Sequence, residues 1–148
     1  MEDGEMIRLA DFAGRPVLVV NTASRCGFTY QYDALQALYD RYRERGLVVL
    51  GVPSDDFNQE LSSEAEVKNF CAVNFAIDFP MTAITPVRGT AAHPFYAWIR
   101  HETGAGPRWN FHKYLVGPDG ALAGAWSSKT DPMAEAITGP IRRFLSLG

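Results

Sequence analysis

The chain has 148 residues, enough for one domain and too few for two of ordinary size. With 47% hydrophobic and 21% charged residues its composition is globular, and a net charge of −3 excludes a sequence-wide basic footprint for nucleic acid. No apolar run reaches membrane-spanning length and the acidic start, Met1-Glu2-Asp3-Gly4-Glu5, lacks a signal-peptide pattern, so no stable membrane insertion and a cytoplasmic location are expected.

Val17-Leu18-Val19-Val20 is a short apolar run of β-branched character, the pattern of a strand buried on both faces. Leu35, Leu38, Tyr39 and Tyr42 then recur at helical spacing, and Gly46 ends that helix. Leu47 to Val52 reads as a second buried strand, stopped by Pro53. Strand, helix and strand in so few residues form a right-handed βαβ unit with parallel strands. Ser63 followed by Glu66 is a capping box that opens the next helix, which carries Val67, Phe70, Cys71 and Asn74 on one side. Phe79-Pro80-Met81 begins a short extended piece, and Ala92 to Arg100 is a short helix with Pro94 in its first turn. His112 to Val116 and Leu122 to Trp126 flank Gly117-Pro118-Asp119-Gly120, a hairpin signal. A last helix is expected from about Pro132 to Leu145, kinked or restarted at Gly139-Pro140. The order predicts an α/β thioredoxin-like sandwich, a central mixed β-sheet flanked by helices, with residues 1–148 as a single domain.

Two cysteines are no disulfide scaffold, so their positions carry the interest. Cys26 falls between the first strand and its helix, where open α/β sheets bind ligands. A helix N-terminus there favours thiolate by about 1 kcal/mol. Lowering a thiol pKa by about two units takes about 2.7 kcal/mol, so hydrogen-bond donors must supply the remainder. A lone cysteine is otherwise commonly a buried, inert one. Thr29 stands where a Cys-x-x-Cys oxidoreductase needs its second thiol, which leaves one attacking sulfur. Cys71, beside Val67 and Phe70, reads by periodicity as a core cysteine. His93, His101 and His112 have no ligand spacing relative to the cysteines, and neither a metal nor an organic cofactor is implied.

Asn21-Thr22-Ala23-Ser24-Arg25-Cys26-Gly27 resembles the active-site signature of the glutathione-peroxidase family in its cysteine form. Leu50-Gly51-Val52-Pro53-Ser54-Asp55-Asp56-Phe57-Asn58-Gln59-Glu60 resembles the family's second motif, and Trp109-Asn110-Phe111-His112-Lys113 its third. The three blocks occur in the family's order. The resemblance implies a catalytic tetrad of Cys26, Gln59, Trp109 and Asn110, in which the last three offer neutral N–H donors to a thiolate. Alone, a Trp is usually packing and an Asn or Gln a solvated loop residue. The segment around Cys71 resembles the one that carries the resolving cysteine in the thioredoxin-dependent branch. On that reading Cys26 becomes a sulfenic acid, Cys71 condenses with it, and the helix bearing Cys71 unwinds locally in each turnover.

Departures from the family pattern bear on the site. The stretch before Gln59 is one residue shorter than usual, Tyr30 stands where Pro is common, and the N-terminal hairpin begins late. Asp55 and Asp56 would raise the pKa of a nearby thiolate unless they point away. The segment from Pro80 to Trp109 lacks the insertion that builds tetramers in the animal selenoenzymes, and no Arg cluster suited to glutathione is evident. The resemblance therefore implies a thiol peroxidase for hydrogen peroxide and organic or lipid hydroperoxides, a monomer or homodimer recycled by thioredoxin. The alternatives are a glutathione-dependent one-Cys enzyme with Cys71 inert, a peroxide sensor that relays oxidation to a partner, and a non-catalytic binding domain.

Overall fold

The computed structural model describes residues 9–24, 27–58, 60–61 and 63–146. The expected βαβ unit is present as β1 (Val17–Thr22), α1 (Gln31–Tyr42) and β2 (Val48–Pro53), with β1 and β2 parallel from Val17↔Val48 to Thr22↔Pro53. Every residue of both strands is buried, as their unbroken apolar runs require. Pro53, predicted to stop β2, is its last residue. β2 lies at the sheet edge, where a missing N–H costs no ladder bond. α1 tightens into a 3₁₀ turn at Arg43–Arg45 and ends at Gly46, whose φ of +117° only glycine adopts freely.

β3 (Lys113–Val116) runs antiparallel to β1, and β4 (Leu122–Trp126) antiparallel to β3, giving a mixed sheet in the order β2-β1-β3-β4. α2 (Glu64–Phe75) starts at Ser63, whose hydroxyl accepts the Glu66 N–H at 3.2 Å as the capping box predicts. Its far end is closed by Ala76 at φ +50°, with the cap N–H on the Cys71 carbonyl. α3 (Pro94–Thr103) runs three residues beyond the expected Arg100 and stops at Gly104. α4 (Glu135–Phe144) begins later than expected because residues 132–134 form a turn, with Ala134 N–H on Asp131 O at 2.9 Å. It continues through Pro140 as one helix and is not restarted there. The carbonyl that Pro140 deprives of a donor belongs to exposed Ala136, where water can serve it.

Strand alternation sorts the core onto two faces. Val17 and Val19 point with Val48, Leu50, Tyr114 and Val116 toward Tyr96 and Ile99 of α3. Leu18 and Val20 point with Val49 and Leu115 toward Leu35 and Leu38 of α1, Val67 and Cys71 of α2, and Ile137 and Ile141 of α4. Helices thus cover both faces of a mixed sheet, the thioredoxin-like sandwich predicted. Each fully buried aliphatic side chain contributes about 1.5–3 kcal/mol of transfer free energy. Among the described residues no helix is long and apolar enough to cross a membrane.

Candidate active site

Strand register brings four segments to one end of the sheet. Thr22 pairs with Pro53, Val20 with Lys113, and Lys113 with Trp126, so the chain leaving β1, β2 and β4 and the chain entering β3 all meet there. Cys26 and Gln59 lie outside the described residues, but the chain leading to each is placed. The Ser54 N–H donates to the Thr22 carbonyl at 3.0 Å, continuing the ladder beyond the strands. One step further, the Ser24 N–H donates to Glu60 Oε1 at 3.1 Å.

Trp109 and Asn110 are held to the same end by Asn21. Its side-chain Nδ2 donates to the Trp109 carbonyl at 2.9 Å, and its own carbonyl accepts the Phe111 N–H at 2.6 Å. To make this turn Phe111 adopts φ +64°, which costs a bulky L-residue roughly 1–2 kcal/mol. Complete burial of its ring, edge-on to Tyr32 at 5.2 Å, offsets that strain. Asn110 is fully buried, and its carbonyl accepts the Ser128 hydroxyl at 2.5 Å. Trp109 keeps 36% of its surface exposed, with its ring 5.1 Å from Phe57.

Beneath them Lys113 is buried, donating to the Ser128 carbonyl at 3.1 Å and the Thr130 carbonyl at 2.6 Å. Gln31 Nε2 donates to the same Ser128 carbonyl at 2.7 Å. Burial pulls the Lys113 ammonium down to about 8. The Asp56 carboxylate is turned toward another loop, where its Oδ2 accepts the Val87 and Arg88 N–H groups at 2.7 and 3.0 Å. That engagement draws its charge into the 87–88 loop.

The glutathione peroxidase family model matches residues 1–100. The glutathione peroxidase of Lactococcus lactis is 38% identical over 97% of this chain and 93% of its own length. The chain belongs to the glutathione-peroxidase family. It is also 38% identical to the hydroperoxy fatty acid reductase gpx1 of Synechocystis, over 97% of this chain and 90% of that one. The crystal structure of T. cruzi GPX1 superposes with a TM-score of 0.76 at 29% identity, covering 97% of this chain and 90% of that one. Members of the family are peroxidases, oxidoreductases acting on peroxides, and this chain is counted among them.

In this peroxidase Cys71 is a free thiol, 2% exposed, on the inner side of α2. Burial pushes it up to about 11, so at neutral pH it is protonated. The Tyr32 hydroxyl faces both Cys71 and Thr22, although neither hydroxyl completes a hydrogen bond in this conformation. Of the side expected for α2, Val67 and Cys71 are buried and Phe70 partly so. Asn74 is instead exposed and donates to the Phe70 carbonyl at 3.0 Å. A cleft of about 350 Å³ runs beside this helix, lined by Val67 and Cys71 on one wall and Tyr39, Phe79 and Met81 on the other.

Three participants escaped the sequence reading. Asn21 and Ser128 anchor the Trp109-Asn110 turn through partners 88 and 18 positions away, which no local pattern reveals. Glu60 stood within the second motif, but an acidic residue beside Gln59 carries no local mark of burial. Of the histidines, His93 caps α3 by accepting the Phe95 N–H at 3.1 Å, and His112 stacks on Tyr114 at 4.9 Å. Among the described residues no group of three or more His, Cys, Asp or Glu is arranged to hold a metal ion.

Proposed function

We propose that this chain is a two-cysteine thiol peroxidase in which Cys26 attacks the hydroperoxide and Cys71 resolves the product. The Cys26 thiolate attacks the O–O bond. An S–O bond forms, the O–O bond breaks, and the leaving oxygen takes a proton as water or alcohol while the sulfur is oxidised to sulfenic acid. The Cys71 thiol then attacks that sulfur, an S–S bond forms, and the hydroxyl leaves as water. A reduced thioredoxin dithiol opens the disulfide by exchange, taking the oxidation away. Gln59, Trp109 and Asn110 act as neutral donors that hold the thiolate and hydrogen-bond the leaving oxygen as it takes up its proton. Hydrogen peroxide and organic or lipid hydroperoxides are the substrate class, in keeping with the hydroperoxy fatty acid reductase among its relatives.

The observation that carries this reading is the double clasp of Asn21 on residues 109–111, which docks Trp109 and Asn110 at the strand end from which the Cys26 loop departs. The test is single-turnover and steady-state kinetics on two variants. Cys26→Ser should abolish peroxide consumption. Cys71→Ser should keep the first oxidation and lose turnover with thioredoxin. The enclosure of Cys71 favours one second reading, a glutathione-dependent one-Cys enzyme: thioredoxin turnover unchanged in Cys71→Ser would refute the resolving role, and turnover of that variant with glutathione would establish the second reading.

A further inference from the structure

Glu60 is a buried carboxylate without a role in the scheme above. It is 7% exposed, in the loop between β2 and α2. Burying a carboxylate is expensive, and one that persists must be engaged by donors. Two backbone groups engage it: Oε1 accepts the Ser24 N–H at 3.1 Å and the Leu61 N–H at 2.8 Å. Its own N–H donates to Asp55 Oδ1 at 3.3 Å, which closes the 55–60 loop on itself. The Ser24 hydroxyl is near the carboxylate without completing a hydrogen bond in this conformation.

These contacts join two particular stretches of chain. Ser24 precedes Cys26 by two residues, and Glu60 follows Gln59 directly. We infer that Glu60 is a positioning residue of the peroxidase reaction, its carboxylate fixing the chain that leads into Cys26 against the loop that presents Gln59. The inference rests on the reading of Cys26 as nucleophile and Gln59 as donor. A single oxygen spanning both segments sets their separation, and attack on an O–O bond depends steeply on such distances. The reach of a two-methylene side chain is therefore the property that matters. Gln has that reach and an equivalent acceptor, whereas Asp keeps the charge but is one methylene short.

The experiment compares Glu60→Gln, Glu60→Asp and Glu60→Ala, with Cys26→Ser as control, in the full chain carrying Cys71→Ser. Two quantities are read: the second-order rate of hydrogen peroxide consumption, and the pH midpoint for alkylation of the remaining thiol by iodoacetamide. Glu60→Gln should stay within about threefold of the parent rate with its alkylation midpoint unmoved, while Glu60→Asp and Glu60→Ala lose about tenfold or more and their midpoints rise. Should Glu60→Ala fail to fold, Asp against Gln carries the comparison. Parent-like kinetics and midpoints in Glu60→Asp overturn the inference, as does a Glu60→Gln variant that falls with the others, which would assign the effect to charge. Peroxide consumption that survives in Cys26→Ser overturns the Cys26 reading itself and is separately visible.

Discussion

Single side chains at the β1 end combine packing with chemistry, and substitutions can separate the two. Trp109 offers an indole N–H and also leans on Phe57, so Trp109→Phe keeps the ring contact and removes only the donor. The peroxide rate should fall about a hundredfold, the usual cost of one donor to a developing charge. Urea unfolding should move by less than about 0.5 kcal/mol, the range of surface changes. A parent-like rate would remove Trp109 from the site. His112 is informative about pH. Burial, with Lys113 and Arg108 adding like charge, pulls its imidazole down to about 4. The unfolded chain binds this proton near pH 6.5 and the folded chain does not. Stability from this group is therefore complete above that value and is lost as pH falls toward 4. The ring is partly exposed, so solvent softens the loss. Unfolding curves across this window should flatten in His112→Gln; an unchanged acid limb would assign it to the carboxylates.

The element that matters most to the proposed cycle is α2, because it encloses Cys71, the thiol proposed to resolve Cys26. Its two ends are stabilised unequally. Ser63 gives the N-terminus a formed cap, whereas Ala76 closes the C-terminus in a left-handed conformation that suits glycine. Opposite variants therefore bracket its opening. Ser63→Ala should destabilise the helix by about 1 kcal/mol. Ala76→Gly should relieve a strain of about 1 kcal/mol and hold the last turn more firmly. If local opening of α2 exposes Cys71, its alkylation in the native protein should speed up in the first variant and slow in the second. Identical rates in both would mean that Cys71 is reached by some route other than helix opening. Among the described α2 side chains only Val67 and Cys71 are buried, which suits an element that opens while the sheet stays folded.

The whole molecule depends on β1, a strand paired on both sides, whose side chains enter both cores and whose end leads into the site. Leu18→Ala should cost about 2–5 kcal/mol, as truncation at a fully enclosed site does. Leu122→Ala, on half-exposed β4, should cost clearly less. Urea midpoints decide: equal losses would deny that burial on both faces is what anchors β1. The same strand explains how residues 21, 54, 60 and 109 gather at one end: residues 54 and 109 are hydrogen-bonded to β1 itself, and residue 60 to Ser24 just beyond its end.

Periodicity and turn chemistry determined the elements. The two apolar runs, the capping box at Ser63, the Gly46 stop and the Asp-Gly hairpin are local signals, and each lies where the chain's own stereochemistry put it. Pro140 was legible as a residue but not in its effect, because exposure of Ala136 was a tertiary fact. The motifs named candidates for the site without their mutual arrangement. Only the folded chain decided that Asn21 clasps Trp109 and that Asp56 turns to the 87–88 loop. It also decided that Glu60 is buried on Ser24. These depend on hydrogen bonds between residues tens of positions apart, whose energy exists only once sheet register has brought donor and acceptor within about 3 Å.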